Sequence, residues 1–263
     1  MAIGAVMFFS SCTDDNSPVQ DPTSALFKVA EGFAEGSGMK VALYSKSQTI
    51  FTGYQKLYVL LTDSATGTTI SNALVKIKPM MDMGTMQHSA PFENPASTNA
   101  VNSLFPTAVV FIMPSMGGSW SVDVDVTNLQ NGRTGSFSTS LTVADPVESK
   151  MKSFTSLHDG SKFFVALIEP SSPGVGINDL ELAVYKRESA MDFPADSSFA
   201  ISIVPEMPTM GHGSPNNIDP AHIGNGHYKG KVNFTMTGYW KININYFIGT
   251  EVADTTQYFD ITF

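Results

Sequence analysis

The sequence predicts an all-β protein built from two tandem immunoglobulin-like antiparallel β-sandwich domains. First, a length of 263 residues suits two domains of about 120 residues each. Second, many short segments alternate between apolar and polar residues and are separated by Gly, Pro, Asn and Asp, which is typical of half-buried antiparallel strands. Third, a motif in the first half of the chain returns in the second half.

The clearest strand patterns lie at equivalent places in the two halves. Residues 120–126 place apolar side chains on one face and Asp123 and Asp125 on the other. Residues 239–246 alternate in the same way, with lysine and asparagine on the polar face. Because no stretch of helical length carries apolar residues at helical spacing, we expect strands throughout.

The first residues predict export and lipid attachment. An apolar run over residues 2–9 ends in two serines and Cys12, and polar residues follow. Such a run is typical of a signal peptide and is too short to span a bilayer. The segment resembles the lipobox of bacterial lipoproteins of the Bacteroidetes type, which implies lipidation of Cys12 and an outer-membrane location facing the periplasm or the surface. We therefore expect a signal and lipobox over 1–12 and a polar tether over 13–25.

The repeated motif combines methionine and histidine. The first copy has Ile-Lys-Pro at 77–79 and Met-Gly-Thr-Met-Gln-His at 83–88, and the second has Ile-Val-Pro at 203–205 and Met-Pro-Thr-Met-Gly-His at 207–212. In both copies a later strand carries matching aromatic, Val, Phe and Met residues at identical spacing, and each series ends at a Trp. Agreement over so many positions indicates a tandem duplication.

The duplication sets the predicted domain limits. A strand-like segment at 137–143 is followed by Ala-Asp-Pro, and the apolar segment at 162–168 then matches the one at 39–44. We therefore expect one sandwich over 26–145 and the other over 146–263. A short linker of this kind gives the two domains limited freedom.

Charge and cysteine content exclude several classes of function. The net charge is −9, with 15 Lys+Arg against 24 Asp+Glu, and no basic cluster is present. The sequence therefore lacks the basic footprint of a nucleic-acid-binding protein and of electrostatic adhesion to anionic lipid. Since Cys12 is the only cysteine, it allows no intrachain disulfide and no thiolate metal site.

Methionine and histidine are concentrated at the two motif copies, where they predict a soft-metal site. Thioether sulfur and imidazole nitrogen together suit Cu(I). Residues separated by one position in an extended segment point the same way, so Met and His in Met-x-His can approach one ion. An oxidising envelope also favours Met and His over Cys. The candidate ligands are Met83, Met86, His88 and Met113 in the first copy and Met207, Met210, His212 and Met236 in the second.

Packing is the alternative role for these side chains. Methionine fills irregular gaps in cores, and Met113 and Met236 follow an inward-facing register, so a core placement explains them equally well. A histidine in a loop rich in Gly and Pro is commonly a hydrogen-bonded turn residue. The second copy is the stronger candidate because glycines flank its histidine. We expect His222 and His227 to be solvent-facing loop residues.

Residues 205–240 resemble the YtkA-like domain. The pattern is Pro-x-Met-Pro-x-Met-x-His, then Gly-x-Tyr, then Phe-x-Met-x-Gly-x-Trp. The resemblance covers the first domain more loosely, since Ser103 stands where the second copy has Gly226 and the turn before Trp120 is three residues longer. It implies a sandwich fold related in character to FixH-type and CopC-like proteins, and copper handling by Met210, His212 and Met236. For the first copy, the resemblance to this site is weaker.

These observations lead to a functional hypothesis with one alternative. We expect an envelope lipoprotein that binds Cu(I) at one site per domain and acts as a chaperone or buffer. Its expected partners are the membrane, through the lipid anchor, and a protein that donates or accepts the metal. The alternative is a non-catalytic surface module that binds a protein or a glycan through adaptable Met-rich loops. Since no motif of a catalytic triad, nucleophile elbow or phosphate-binding loop is present, no enzymatic activity is expected.

Overall fold

A computed structural model describes residues 21–263, which form β-strands and loops without any helix. Within this described part, no helix is long and apolar enough to cross a membrane. The predicted signal, Cys12 and most of the tether lie outside the described residues. The prediction of an all-β protein is confirmed.

The first set of strands forms two facing sheets. Their orders are β1-β2-β4-β8-β7 and β10-β9-β5-β6, and β3 and β11 add a short parallel pair. We call this set the first sandwich. Its strands are β1 (Phe27–Ala34), β2 (Met39–Ser45), β3 (Ile50–Phe51), β4 (Gly53–Asp63), β5 (Ala73–Asp82), β6 (Gln87–His88), β7 (Phe92–Glu93), β8 (Phe105–Phe111), β9 (Ser119–Asn128), β10 (Thr134–Leu141) and β11 (Val143–Ala144).

The second set of strands repeats this topology. We call it the second sandwich, and its strands are β12 (Met151–Thr155), β13 (Lys162–Glu169), β14 (Gly176–Arg187), β15 (Ala200–Met207), β16 (His212–Gly213), β17 (Ile218–Gly224), β18 (His227–Phe234), β19 (Tyr239–Ile248) and β20 (Glu251–Thr262). The sheet orders are β12-β13-β14-β18-β17 and β16-β15-β19-β20, as in the first sandwich. Apart from the first edge strand, both sets follow the A-B-E-D and C-F-G arrangement of the immunoglobulin fold.

Each sandwich encloses its own apolar core because alternate residues of every strand point inward. On β9, Val122, Val124 and Val126 are buried, whereas Asp123 and Asp125 lie on the outer face. There the two aspartates accept hydrogen bonds from serines of β10. The alternation predicted from the sequence is therefore present as an inner and an outer face.

The two sandwiches pack together through the outer faces of their five-stranded sheets. Val110 of β8 lies in one buried cluster with Ala166 of β13 and with Ala183 and Tyr185 of β14. Small and aromatic side chains replace polar ones on these outer faces, because the faces are covered rather than solvated. This packing places the loop after β5 and the segment between β6 and β7 of the first sandwich beside the second sandwich.

A charged network crosses the interface beside this cluster. One carboxylate oxygen of Glu93 accepts hydrogen bonds from Tyr185 at 2.6 Å and from His227 Nε2 at 2.7 Å, and the other accepts one from Tyr54 at 3.0 Å. His227 Nδ1 lies 2.8 Å from Glu181. Since carboxylates only accept, both ring nitrogens of His227 donate, which requires the charged imidazolium.

The pKa values of this network follow from its geometry. The hydrogen bond to Glu93 raises the pKa of His227 above its usual value, although burial opposes the shift. Burial alone would raise the pKa of Glu93, but hydrogen bonds from His227 and Tyr185 outweigh it and hold that pKa below its usual value. The ion pair between His227 and Glu93 is therefore retained to higher pH than the usual pKa of histidine would allow, and to lower pH than the usual pKa of glutamate would allow. The expectation that His227 is a solvent-facing loop residue is wrong, since it lies half-buried in a strand.

We expect His227→Gln to lower stability in a pH-dependent way. The pKa of His227 is raised in the folded state, so the charged ring stabilises the fold fully below the unfolded pKa of 6.5, and this stabilisation disappears as pH rises through the folded pKa. At roughly pH 5.5 the substitution should lower the free energy of unfolding by about 2 kcal/mol, typical of a hydrogen bond to a charged group. The measurement is the thermal unfolding midpoint of both proteins as a function of pH.

His222→Gln is the matched control for this experiment. His222 lies on the neighbouring strand β17, is exposed and contacts only the ring of Tyr228 at 5.2 Å among the interactions of its side chain that the structure describes. Its substitution should leave the pH dependence unchanged. A difference between wild type and His227→Gln that stays constant from acid to alkaline pH would contradict the proposed charge on His227.

Candidate metal centres

Each Met-x-His segment forms a short hairpin at the edge of a four-stranded sheet. His88 of β6 pairs with Met81 of β5, and His212 of β16 pairs with Met207 of β15. Directly opposed residues of an antiparallel pair share one face of the sheet. Since Met81 and Met207 point into the cores, both histidines lie on the inward side at the end of a sandwich.

The register corrects the pairing of methionines that the sequence suggested. Met207 corresponds to Met81 rather than to Met83, because the first hairpin extends by one further residue pair, Asp82 and Gln87, beyond the pair of Met81 and His88. Met81 and Met207 each lie two positions after the prolines that the two copies share, Pro79 and Pro205, and this spacing would have identified them as equivalent. Met81 and Met207 are 0% and 4% exposed, so packing accounts for both positions. Their methyl groups occupy space next to the glycines that precede each Trp.

The histidine rings are oriented alike in the two copies. His88 Nδ1 lies 2.7 Å from the carbonyl oxygen of Ser89, and His212 Nδ1 lies 3.0 Å from that of Gly213. Because a carbonyl oxygen only accepts, Nδ1 carries the proton, and in the neutral ring Nε2 keeps a lone pair. Nε2 forms no hydrogen bond with the described residues in either copy. This arrangement, with one ring nitrogen tied to a carbonyl, is the usual one for a metal-binding histidine.

A buried tryptophan joins each histidine to the third motif methionine. The ring of Trp120 meets His88 edge-on at 5.6 Å between centroids, and its Nε1 donates to the carbonyl oxygen of Met113 at 2.9 Å. The ring centroids of Trp240 and His212 lie 5.9 Å apart, and Trp240 Nε1 donates to the carbonyl oxygen of Met236 at 3.0 Å. The sequence identified both Trp residues only as the end of the repeat.

The four candidate ligands of the first copy line one cavity of about 280 Å³. They are Met83, Met86, His88 and Met113. Ile112 and three residues of the second sandwich complete the wall. His88 is only 8% exposed, whereas Met86 is 53% exposed and lies at the outer side.

The candidate ligands of the second copy lie at an open surface. Met210 is 60% exposed and Met236 is 40% exposed, and His212 is half-buried between them and the core. Met236 therefore does not lie in the core, in contrast to the packing alternative. Met207 packs beneath the hairpin with its side chain in the core cluster.

The remaining polar clusters offer no other metal centre within residues 21–263. In this range, no group of three or more His, Cys, Asp or Glu side chains is arranged to hold a metal ion. His158 lies in a turn and pairs with Glu251 at 2.6 Å. Any soft-metal site in the described part of the chain therefore depends on the methionines.

Known proteins resemble this chain to different degrees. No curated protein sequence matches the chain significantly. Among solved structures, domains 5–6 of the S-layer protein SbsC match with 12% identity and a TM-score of 0.29, covering 89% of this chain and 98% of that chain. This similarity is too low to carry an argument.

The family match lies on the second sandwich. Residues 158–245 match the family model described as YtkA-like, and they include Met210, His212, Met236 and Trp240. This confirms the resemblance that the motif predicted for these residues. Residues 158–245 are therefore similar to the YtkA-like family.

Proposed function

We propose that the protein binds Cu(I) through the Met/His clusters, one in each sandwich, and serves as a copper chaperone or buffer of the cell envelope. The observation that carries this proposal is the cavity of the first sandwich. Four side chains chosen from the sequence for their ligand chemistry, Met83, Met86, His88 and Met113, line it together. A duplicated arrangement of His, Trp and Met in the second sandwich supports it.

The donor set favours Cu(I) over the other common metals. Thioethers are soft, uncharged ligands, which suit Cu(I) and discriminate against Mg²⁺, Ca²⁺ and Mn²⁺. The carbonyl oxygen that holds Nδ1 increases the basicity of the histidine and aims Nε2. Arg187 lines the first cavity, and its positive charge repels a singly charged ion half as strongly as a doubly charged one.

The proposed role is one of binding without catalysis. Cu(I) that is held by a few thioethers and an imidazole at a surface can pass to another protein with similar ligands. We propose that such a donor or acceptor protein is the partner of this chain. The YtkA-like domain and the sandwich fold support a binding module.

Cu(I) titration against a competing chromophoric chelator tests the two sites. Cys12→Ser serves as the background, because it removes the only thiol. We expect two ions per chain in this background and one in the second-site variant, Met210→Leu with Met236→Leu. Leucine keeps the volume and removes the sulfur, so the affinity of that site should fall at least about tenfold, or about 1.4 kcal/mol.

The matched control removes one Met and one His outside the two sites. Met39→Leu with His158→Ala should still bind two ions with unchanged affinity. Met39 lies in the first core, and His158 lies in an exposed turn. Equal affinity and stoichiometry in the second-site variant and the control would reject the assigned ligands.

We also propose that the mature chain is held at the outer membrane by lipid on Cys12. Cys12→Ser should release the protein from the membrane fraction, because the cysteine is the residue that would carry the acyl chains. The measurement is the distribution of the protein between membrane and soluble fractions after cell lysis. Ser17→Ala, in the predicted tether, is the control and should leave the protein in the membrane fraction. Retention of Cys12→Ser in the membrane would reject lipid anchoring.

A further inference from the structure

The first candidate site is shared between the two sandwiches. Phe164, Arg187 and Phe193 of the second sandwich line the same cavity as the Met and His residues of the first. The two phenyl rings are buried and meet edge-on at 5.7 Å between centroids, so they form a packed wall. Nothing in the sequence indicates this wall, since these residues lie in the other copy.

The segment that follows His88 is attached to the second sandwich at both ends. The backbone N–H of Ser89 donates to the carbonyl oxygen of Ala190 at 2.8 Å. Four residues further on, Glu93 binds Tyr185 and His227. The segment between Ser89 and Glu93 is therefore fixed against the second sandwich, and the wall cannot leave the cavity without breaking these hydrogen bonds.

The second site has a different environment although its ligands are equivalent. Met210 and Met236 are exposed to solvent, and His212 is less buried than His88. Topology alone would make the two sites equal, because both sandwiches have the same sheet orders. The difference arises from the packing of the sandwiches, which places Phe164 and Phe193 beside buried His88, although Met86 near the tip of the first hairpin remains exposed.

We infer that Phe164, Arg187 and Phe193 complete the first metal site and cover it, so that it exchanges its ion slowly while the second site exchanges rapidly with partners. This inference rests on the proposed function for the identity of the ion. The cover itself is a property of the metal-free protein. The two aspects can therefore be tested separately.

The first test compares the rates at which Cu(I) leaves each site. The second-site variant retains only the first site, and Met86→Leu with Met113→Leu retains only the second. With excess chelator, we expect Cu(I) to pass from the first site to the chelator at least about tenfold more slowly than from the second site, since a covered ion dissociates more slowly. Phe193→Ala in the second-site variant should remove most of this difference. Phe33→Ala, on exposed β1 of the same chain, is the control and should have no effect.

The second test needs no metal. Dilute hydrogen peroxide oxidises accessible thioethers, and peptide mass spectrometry reports each methionine separately. We expect Met113 to react at least about threefold more slowly than Met236, and Phe193→Ala to accelerate Met113 alone. Phe193→Leu, which keeps most of the packing, should give a smaller acceleration if Phe193→Ala does not fold.

The outcomes separate the two proposals. If Met113 is protected from oxidation and Phe193→Ala removes this protection, the cover is supported. Absence of Cu(I) binding in the same protein would then reject the proposed function alone. The cover would be overturned if Met113 and Met236 were oxidised at equal rates. It would also be overturned if neither Phe193→Ala nor Phe193→Leu changed the oxidation rate of Met113. Equal transfer rates from two sites that both bind Cu(I) would overturn it as well.

Discussion

The candidate sites depend on one buried tryptophan in each sandwich. Its ring fills the end of the core, where it contacts the histidine, and its N–H fixes the carbonyl of the third motif methionine. An indole group can do both because one end of it is apolar and the other is a hydrogen-bond donor. Trp120 and Trp240 therefore couple the integrity of the core to the position of side chains that come from different strands.

Alternation along the strands predicted the sandwich fold, because it is a local property of the chain, and the repeat predicted that the two halves share one topology. The equivalence of Met207 and Met81 was not predicted, because it depends on how many residue pairs each hairpin forms. The network of Glu93 and His227 was also missed. These residues are 134 positions apart, and only the packing of one sandwich on the other brings them together. The alternation of apolar and polar residues within a strand contains no information about such a contact.

Duplication gave the chain two similar folds in unequal surroundings. The packing joins the outer faces of the two large sheets, but the hairpin of only the first copy contributes to the described inter-sandwich cavity. In a tandem pair that packs in this way, the two hairpins cannot have the same surroundings. Differences that arise from packing rather than from ligand identity therefore allow one motif to provide both a covered and an open site.

The chemistry of methionine explains how these segments can combine packing with the proposed ligand function. A carboxylate or a charged histidine beside Phe164 and Phe193 would lose hydration at a cost of several kcal/mol. A thioether is uncharged and apolar, so it can line the cavity at almost no desolvation cost and still present a lone pair. Arg187 is the charged residue of the cavity wall. The carboxylates of this interface lie instead in the network around Glu93, where each has hydrogen-bond donors. The interface thus keeps its carboxylates away from the cavity, and Phe164 and Phe193 remain beside the proposed ligands.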